Sequence, residues 1–363
     1  MAVVIEINDA RELEDYRLSA GALLATTPDA SYLHTVDWLQ SYWKHYGKKQ
    51  KLRVLVVRAA QQTIGIVPFV IRKHWSPLGS VRTLTLPQAD QACWFGPLGG
   101  DRAATLTLAL RHIDSTRRDW DMLDLPGVDL DGADRGRTMR AIKGVGWRPT
   151  VKSCNEVSKI DFTSDCFAYV FGKDSDFSRE LLKVEQQLQK QERLEFIRHR
   201  PAALRDGGGD PRWDLYNECR KLSTSKSERK SYYLRDAHET AARQGAVDLC
   251  VLKQAGRVVA FSYSYCREGR LIEIANGASS SVPGADYVLM RRMVESSFAS
   301  DDVSLHLGQR EDDFIHQWRT KAIRPYRLCY VPLGSVVGQM TQLPSYLAKK
   351  FMARLEPSGT LTT

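Results

Sequence analysis

The sequence predicts an α+β protein built from two copies of one unit, and three parallels between its halves carry that expectation. Each half has a hairpin of apolar strands of similar length: Val57-Arg58-Ala59 through Ile64-Gly65-Ile66, and Leu252-Lys253-Gln254 through Val259-Ala260-Phe261. Each then has a helix opened by small residues, Gly99-Gly100-Asp101 in one half and Pro283-Gly284-Ala285-Asp286 in the other. Finally, Met122-Leu123-Asp124-Leu125-Pro126-Gly127 parallels Ser304-Leu305-His306-Leu307-Gly308, and a short charged helix and another strand follow both. The shared order is hairpin, strand, glycine-opened helix, strand, helix, strand. The boundary falls near residues 160–178, giving a first unit at 1–165, a second at 166–335, and a basic terminal helix with a loose tail at 336–363.

In chain order, residues 3–7 form a short strand and 10–25 an amphipathic helix with Leu13, Leu23 and Leu24 inward. Ser31 caps a second helix whose stripe of Val36, Leu39, Trp43 and Tyr46 stops at Gly47. Residues 52–57 and 64–71 make the first hairpin and 81–86 another strand. A helix at about 101–113, a strand at 122–125 and a helix at 133–143 follow, and Trp147 begins a crossing segment toward Phe162. The second half has a long polar helix at 178–192, a strand at 194–197 and a triple-glycine loop near 207–209. Helices at 213–222 and 232–243 flank a polar Ser/Lys-rich loop. Strands at 247–252 and 258–265, then 271–275, lead to the glycine-opened helix; a strand at 303–307, a helix at 312–318 and a strand at 328–331 complete the unit.

At 363 residues the chain is long enough for two domains, and 43% hydrophobic with 26% charged residues is an ordinary globular composition. No apolar run approaches the roughly 20 residues of a membrane span, and the first residues lack a basic leader and long apolar core. The seven cysteines are scattered with no C-x-x-C pair, so neither a zinc site nor a disulfide framework is expected. Together these point to the cytoplasm and to no metal. The net charge of +9 admits nucleic acid, an anionic surface or a polyanionic ligand. Aromatic residues do not interleave with a basic stripe, which argues against nucleic acid. No G-x-S-x-G elbow, Walker loop or H-E-x-x-H helix is visible.

The most informative stretch is 271–298. A buried strand feeds the small-residue loop 276–282, and Pro283, suited to a first helical position, opens a helix with Gly284. Free N–H groups at a helix start favour an anion. The alternative is an ordinary strand-to-helix connection. Within this stretch Glu273 is a charge inside an apolar run, which needs a partner or an edge position unless it has a chemical role. His306 is similarly centred in an apolar strand, as a packed core histidine or a base. Arg291 and Arg292, about two turns into the helix, could reach a phosphate or lie solvated.

Two motifs in the second half carry a family resemblance. Ser281-Val282-Pro283-Gly284 contains a Ser-Pro-Gly turn with one residue inserted. His306-Leu307-Gly308-Gln309-Arg310-Glu311-Asp312-Asp313-Phe314-Ile315-His316-Gln317-Trp318 follows an Asp-Leu-Gly-x-Gly-Asp-Glu-x-Tyr-Lys-x-x-Trp pattern at Leu307, Gly308 and Trp318, with Glu311 and Asp312 in acidic register. With the element order, these resemble the GNAT N-acetyltransferase fold. A tandem pair of this length is similar to the CelD/BcsL-like acetyltransferases of cellulose biosynthesis, relatives of the Fem aminoacyltransferases. The resemblance runs from Tyr32-Leu33-His34-Thr35-Val36-Asp37-Trp38-Leu39 to about residue 331. His306, Arg310, Phe314 and Ile315 depart from the pattern, and the lost lysine removes a cation that could hold a negatively charged group.

The resemblance implies two tandem GNAT-like domains, each a mixed, largely antiparallel sheet flanked by helices. It also implies acyl transfer from acetyl-CoA or another acyl-CoA to a small-molecule or glycan acceptor, such as a polysaccharide precursor. Backbone groups near Asn276, Gly277 and Ala278 would pair with the amide arm of acyl-CoA, and Ser281, Gly284 and Ala285 would face its pyrophosphate. Glu273 is the first candidate base and His306 a second base or relay. Tyr263 or Tyr265 would protonate the thiolate, and Gln309 and Asp312 would contact substrate. The first-half counterpart, 96–101, is either a decayed cofactor site or a wall of the substrate cleft between the domains, the second being favoured because ligand sites often lie at domain interfaces. Two other readings are tRNA-dependent aminoacyl transfer of the Fem type, with the basic helix 183–193 as support, and a non-catalytic binding protein of polysaccharide export.

Overall fold

The computed structural model describes residues 2–76, 79–87, 96–163, 165–171, 175–223, 228–308 and 313–335. The first half runs β1 (Ala2–Ile7), α1 (Arg17–Thr26), α2 (Val36–Tyr46), β2 (Gln50–Ala59), β3 (Gln62–Ser76), β4 (Gly79–Thr85), α3 (Arg102–Ser115), β5 (Met122–Val128), α4 (Arg137–Gly144), β6 (Thr150–Ser153) and β7 (Val157–Asp161). The second runs α5 (Cys166–Phe171), α6 (Ser175–Gln191), β8 (Leu194–His199), α7 (Trp213–Arg220), α8 (Glu228–Arg243), β9 (Val247–Gln254), β10 (Arg257–Arg267) and β11 (Arg270–Ala278). It ends with α9 (Ala285–Ala299), β12 (Ser304–His306), α10 (Asp313–Trp318), β13 (Lys321–Ile323) and β14 (Tyr326–Tyr330).

Two seven-stranded sheets result, ordered β1-β2-β3-β4-β5-β14-β6 and β8-β9-β10-β11-β12-β7-β13. The expected α+β class holds, and the sheets are copies of one another: in each, the fourth and fifth strands pair in parallel and the remaining pairs are antiparallel. The sixth place is exchanged. β14, at the far end of the described chain, lies between β5 and β6, with Cys329 opposite Asp124 on one side and Thr150 on the other. β7, from the first half, lies between β12 and β13, with Lys159 opposite both His306 and Lys321. The segment expected merely to cross between units therefore supplies a strand to each sheet. The strand expected to complete the second unit completes the first.

Helix boundaries follow local chemistry. Thr35, rather than Ser31, caps α2 by accepting a bond from the Trp38 N–H, while Ser31 caps a single turn before it. The buried face of α2 is also wider than the expected stripe. Trp38 and Tyr42 are fully enclosed because the helix packs on α8 as well as on its own sheet. Across that contact the Tyr32 and Thr240 hydroxyls bond at 2.5 Å, and Lys44 and His45 meet Asp236 at 2.6 and 2.8 Å. One apolar core runs through this interface, joining Leu33, Trp38 and Val54 of the first half to Tyr233, Leu249 and Tyr263 of the second. The expected terminal helix at 336–363 lies outside the described residues.

Both halves bury an arginine–carboxylate cluster where the helix before the fifth strand ends. In the first, Arg53 on β2 donates to Glu6 on β1, to Asp119 and to the Thr116 hydroxyl. In the second the charges trade strands: Arg198 on β8 donates to Asp248 on β9, to Asp302 and to the hydroxyls of Ser296 and Ser297. Arg200 adds bonds to Asp248 and Asp302. The Asp302 side chain is 0% exposed, so removing it leaves two guanidiniums short of a buried partner. Asp302→Ala is expected to destabilise the protein by about 3–5 kcal/mol in a denaturant titration.

Candidate functional site

β11 and β12 pair only through Arg270, Leu271 and Ile272, opposite Ser304, Leu305 and His306. They then part. On its other edge β11 stays paired with β10 to Ala278, but the register skips Ile274 between Tyr263↔Ala275 and Ser264↔Glu273. A bulge of this kind bends a strand and re-aims its side chains. Past it, the β12-facing edge of β11 has no strand beside it among the described residues. Asn276, Gly277 and Ala278, expected in a loop, thus continue the strand and extend that edge. Gly277 has a packing reason: a Cβ there would lie 2.5 Å from the Leu222 carbonyl oxygen and 2.8 Å from the Phe261 ring.

The connection to α9 folds back on itself. The Ser279 and Ser281 hydroxyls share a 2.7 Å bond, and the Ser281 N–H points at the Ser279 hydroxyl at 3.4 Å. The Ala285 N–H donates to the Val282 carbonyl, so two expected cradle donors already serve the turn. Pro283 precedes the helix rather than starting it. Gly284 is the cap, at φ +85°, and with no side chain it leaves the helix start without a side-chain cap. Val184 of α6 closes over it, 2.5 Å from where a Cβ would sit. Arg291 is largely covered and Arg292 keeps 40% of its side chain exposed. Both pair with the buried Glu185 of α6, Arg291 at 2.7 Å.

The first-half copy differs at the equivalent point. There Asp101 caps α3 and accepts the Ala104 N–H at 2.9 Å, so a carboxylate already occupies the positive end of the helix. The Gly99 N–H is also taken, by the Thr27 hydroxyl at 2.8 Å. Gly96 and Leu98 line an apolar pocket formed by first-half residues such as Leu13, Leu39 and Val56, rather than a cleft between the halves.

The sheet separates the expected catalytic side chains. Glu273 accepts bonds from the Ser262 hydroxyl at 2.9 Å and the Asn276 amide at 3.0 Å. Ser262 is in register with Cys250, whose side chain packs in the α9-facing core, so Glu273 lies on that face. Tyr263 is on the opposite face with Leu249, fully buried, and its hydroxyl lies 3.1 Å from His238 Nδ1. His306, in register with Ile272, also faces away from α9, and burial beside Lys159 pushes its pKa down to about 4. Gln309 and Asp312 lie outside the described residues.

A pocket of about 570 Å³, counted to its open mouth, lies between α7, α8 and the sheet, with Phe261, Tyr263 and Ala275 among its walls. α8 begins at Glu228, earlier than expected, which places Lys230 and Ser231 of that pocket on the helix.

His238 is the residue that sequence reasoning missed. Fully buried, it stacks on Tyr216 with centroids 4.1 Å apart, and its Nε2 lies 2.6 Å from the Pro211 carbonyl. A carbonyl only accepts, so Nε2 carries the proton and Nδ1 accepts the Tyr263 O–H. No motif surrounds it; only its spacing on the inner face of an amphipathic helix could have flagged it. Among the described residues no group of three His, Cys, Asp or Glu could hold a metal ion, the six cysteines are free thiols, and no helix is long and apolar enough to cross a membrane.

Burial lowers the His238 pKa from 6.5 to about 4. Between those values the unfolded chain binds more protons than the folded one. The stability due to a neutral His238 is therefore complete above about pH 6.5 and is lost as pH falls toward 4, by roughly 3 kcal/mol at most. Denaturant midpoints are expected to fall from pH 7 to pH 5, and less steeply in His238→Gln.

The acetyltransferase (GNAT) domain family matches residues 175–314. In fold the chain is similar to FemX, with a TM-score of 0.61 and 9% identity over 94% of this chain and 99% of that one. It is also similar to L-PGS from Bacillus licheniformis, at 0.53 and 13% over 95% and 99% of the two chains. A conserved protein of unknown function from Bacteroides thetaiotaomicron gives 0.50 and 12% over 92% and 100%. No curated protein matches in sequence. The two sheets are a tandem GNAT-like fold, residues 175–314 form an acetyltransferase (GNAT) domain, and the chain is an acyltransferase.

Proposed function

We propose that the second half transfers an acyl group, acetyl foremost, from acyl-CoA directly to an amine or hydroxyl. The observation that carries this reading is the free edge of β11 beyond Ile272, which ends beside the uncapped start of α9. Backbone groups of Asn276, Gly277 and Ala278 on that edge pair with the amide arm as a short added strand. The start of α9 takes the pyrophosphate at Gly284 and through the helix dipole, while Ser281 and Ala285, whose N–H groups serve the turn, hold that turn in shape. Asp286 in the first helical turn opposes a phosphate electrostatically and sets the limit on that affinity.

The acceptor attacks the thioester carbonyl, the C–S bond breaks, and the acceptor's proton passes to a base. Glu273 is our base. Ser262 on β10 and Asn276 on β11 hold its carboxylate on the α9-facing side of the sheet, on the strand whose far edge takes the amide arm. His306, neutral at pH 7 with its pKa near 4, flanks the gap between β11 and β12 and serves as a hydrogen-bonding wall or relay. The thiolate takes its proton from water, because the Tyr263 O–H is committed to His238. Gln309 and Asp312 keep the substrate contacts that the sequence motif implies, and a sugar or polysaccharide-precursor acceptor rests on that same motif.

Two outcomes test the proposal. Calorimetry is expected to show acetyl-CoA binding with a Kd on the order of micromolar. Gly284→Trp should abolish it, since any side chain at this left-handed position strains the backbone and meets Val184; absent binding to the unaltered protein refutes the reading. Glu273→Gln should lower kcat by about 10²-fold or more and leave the acetyl-CoA affinity unchanged.

A further inference from the structure

The geometry points to a projecting arm of the first sheet that docks the protein on an anionic membrane surface, with Trp75 as its interfacial anchor. The inference stands apart from the acyl-transfer reading.

β3 and β4 run past their neighbours. The pairing of β2 with β3 ends at Gln50 opposite Arg72, and that of β4 with β5 begins at Thr83 opposite Met122. One further bond joins the Asp121 N–H to the Arg82 carbonyl. From Lys73 to Ser76 and from Gly79 to Val81 the two strands pair only with each other among the described residues. At about 3.3 Å per residue, Trp75 stands roughly 10 Å beyond the end of the sheet. A two-stranded ribbon buries little, and Trp75 is 80% exposed in it. The indole is part of neither core, and its apolar surface is left for an outside partner.

Cations follow the ring down the arm. Lys73, on the same face of the ribbon, holds its ammonium 5.8 Å from the Trp75 ring centroid, and Arg82 is opposite Lys73 in register. At the base, the strands on either side are preceded by exposed cations, Lys48 and Lys49 before β2 and Arg117 and Arg118 before β5. The carboxylates of these flanks are taken up within the protein: Asp121 pairs with Arg82, and Asp119 with Lys51 and the buried Arg53. Pro77 and Leu78, between the two strands, lie outside the described residues, and neither is ionisable.

An amphipathic ring in front, with cations behind it over roughly 10 Å, matches the layering of a bilayer surface. Tryptophan settles at the headgroup level, and Lys and Arg within a Debye length of that surface are drawn to anionic lipid. The arm is convex, so a folded partner would need a cavity shaped to it, whereas a fluid headgroup layer conforms to it. Single-stranded nucleic acid is bound by aromatic rings set among the cations of a groove. Here the ring lies ahead of the cations.

The full chain is sedimented with vesicles of phosphatidylcholine alone, and with vesicles containing roughly one-third phosphatidylglycerol, near 0.1 M salt where the Debye length is about 10 Å. The anionic vesicles are expected to bind at least about tenfold more tightly, a difference that shrinks as salt is raised. Trp75→Ala should weaken that binding by about tenfold, and Trp75→Phe, which keeps an apolar ring, by less. Lys73→Gln should weaken it by about fivefold, the factor equivalent to the ~1 kcal/mol a cation gains near such a surface. Lys152→Gln, on β6 at the far edge of the same sheet, should leave it unchanged. All three positions are exposed, so thermal melting is expected to stay as in the unaltered protein. Equal sedimentation with both vesicles, or binding that Trp75→Ala and Lys73→Gln leave intact, overturns the inference. So does tighter binding of a single-stranded RNA oligonucleotide that is lost in Trp75→Ala, which would assign the arm to nucleic acid.

Discussion

Reciprocal exchange of the sixth strand is the constraint on which the molecule depends. Because β14 sits between β5 and β6, and β7 between β12 and β13, neither sheet is complete until both halves of the chain are in place. Backbone hydrogen bonds that would be exposed at a strand gap are satisfied only by the other half. The exchange also explains the shared core beneath α2 and α8, since strands crossing in both directions hold the two sheets together. With β7 in place, β12 is flanked on its far side and parts from β11 alone. The gap there is a property of the whole chain.

The two copies have diverged at one chemically decisive point. Asp101 fills the positive end of α3, whereas Gly284 leaves the corresponding end of α9 without a side chain. A carboxylate cap and a phosphate compete for the same N–H groups, so only the second half keeps an open helix start. The first half has kept the scaffold, including a mirror of the buried arginine cluster with its charges traded between strands. Its pocket is lined almost wholly by apolar side chains, in contrast to the cation-bearing pocket between α7 and α8.

How much of this was legible in the sequence follows from the range of each interaction. The hairpins and glycine-opened helices are local patterns, and they revealed the repeat. The exchange was invisible, because a four-residue strand such as β6 and the register of β14 are fixed by partners some 170 residues away. Arg291 and Arg292 show the same limit: their helical spacing is plain in the sequence, while their partner Glu185 lies on another helix. Glu273 was conspicuous as a charge in an apolar strand, but that it faces α9 while Tyr263 faces α8 depends on the bulge at Ile274, which no residue type there announces. His238 drew no notice because its importance comes from Pro211 and Tyr263, far along the chain.

The central claim is that the second copy alone holds the nucleotide-bearing arm of acyl-CoA, along β11 and at the start of α9. Amide hydrogen exchange measured with and without saturating acetyl-CoA tests it most directly. The account predicts slowed exchange across residues 276–287 and none at the start of α3. Protection at residues 101–104 instead, or at neither helix start despite binding, would contradict it.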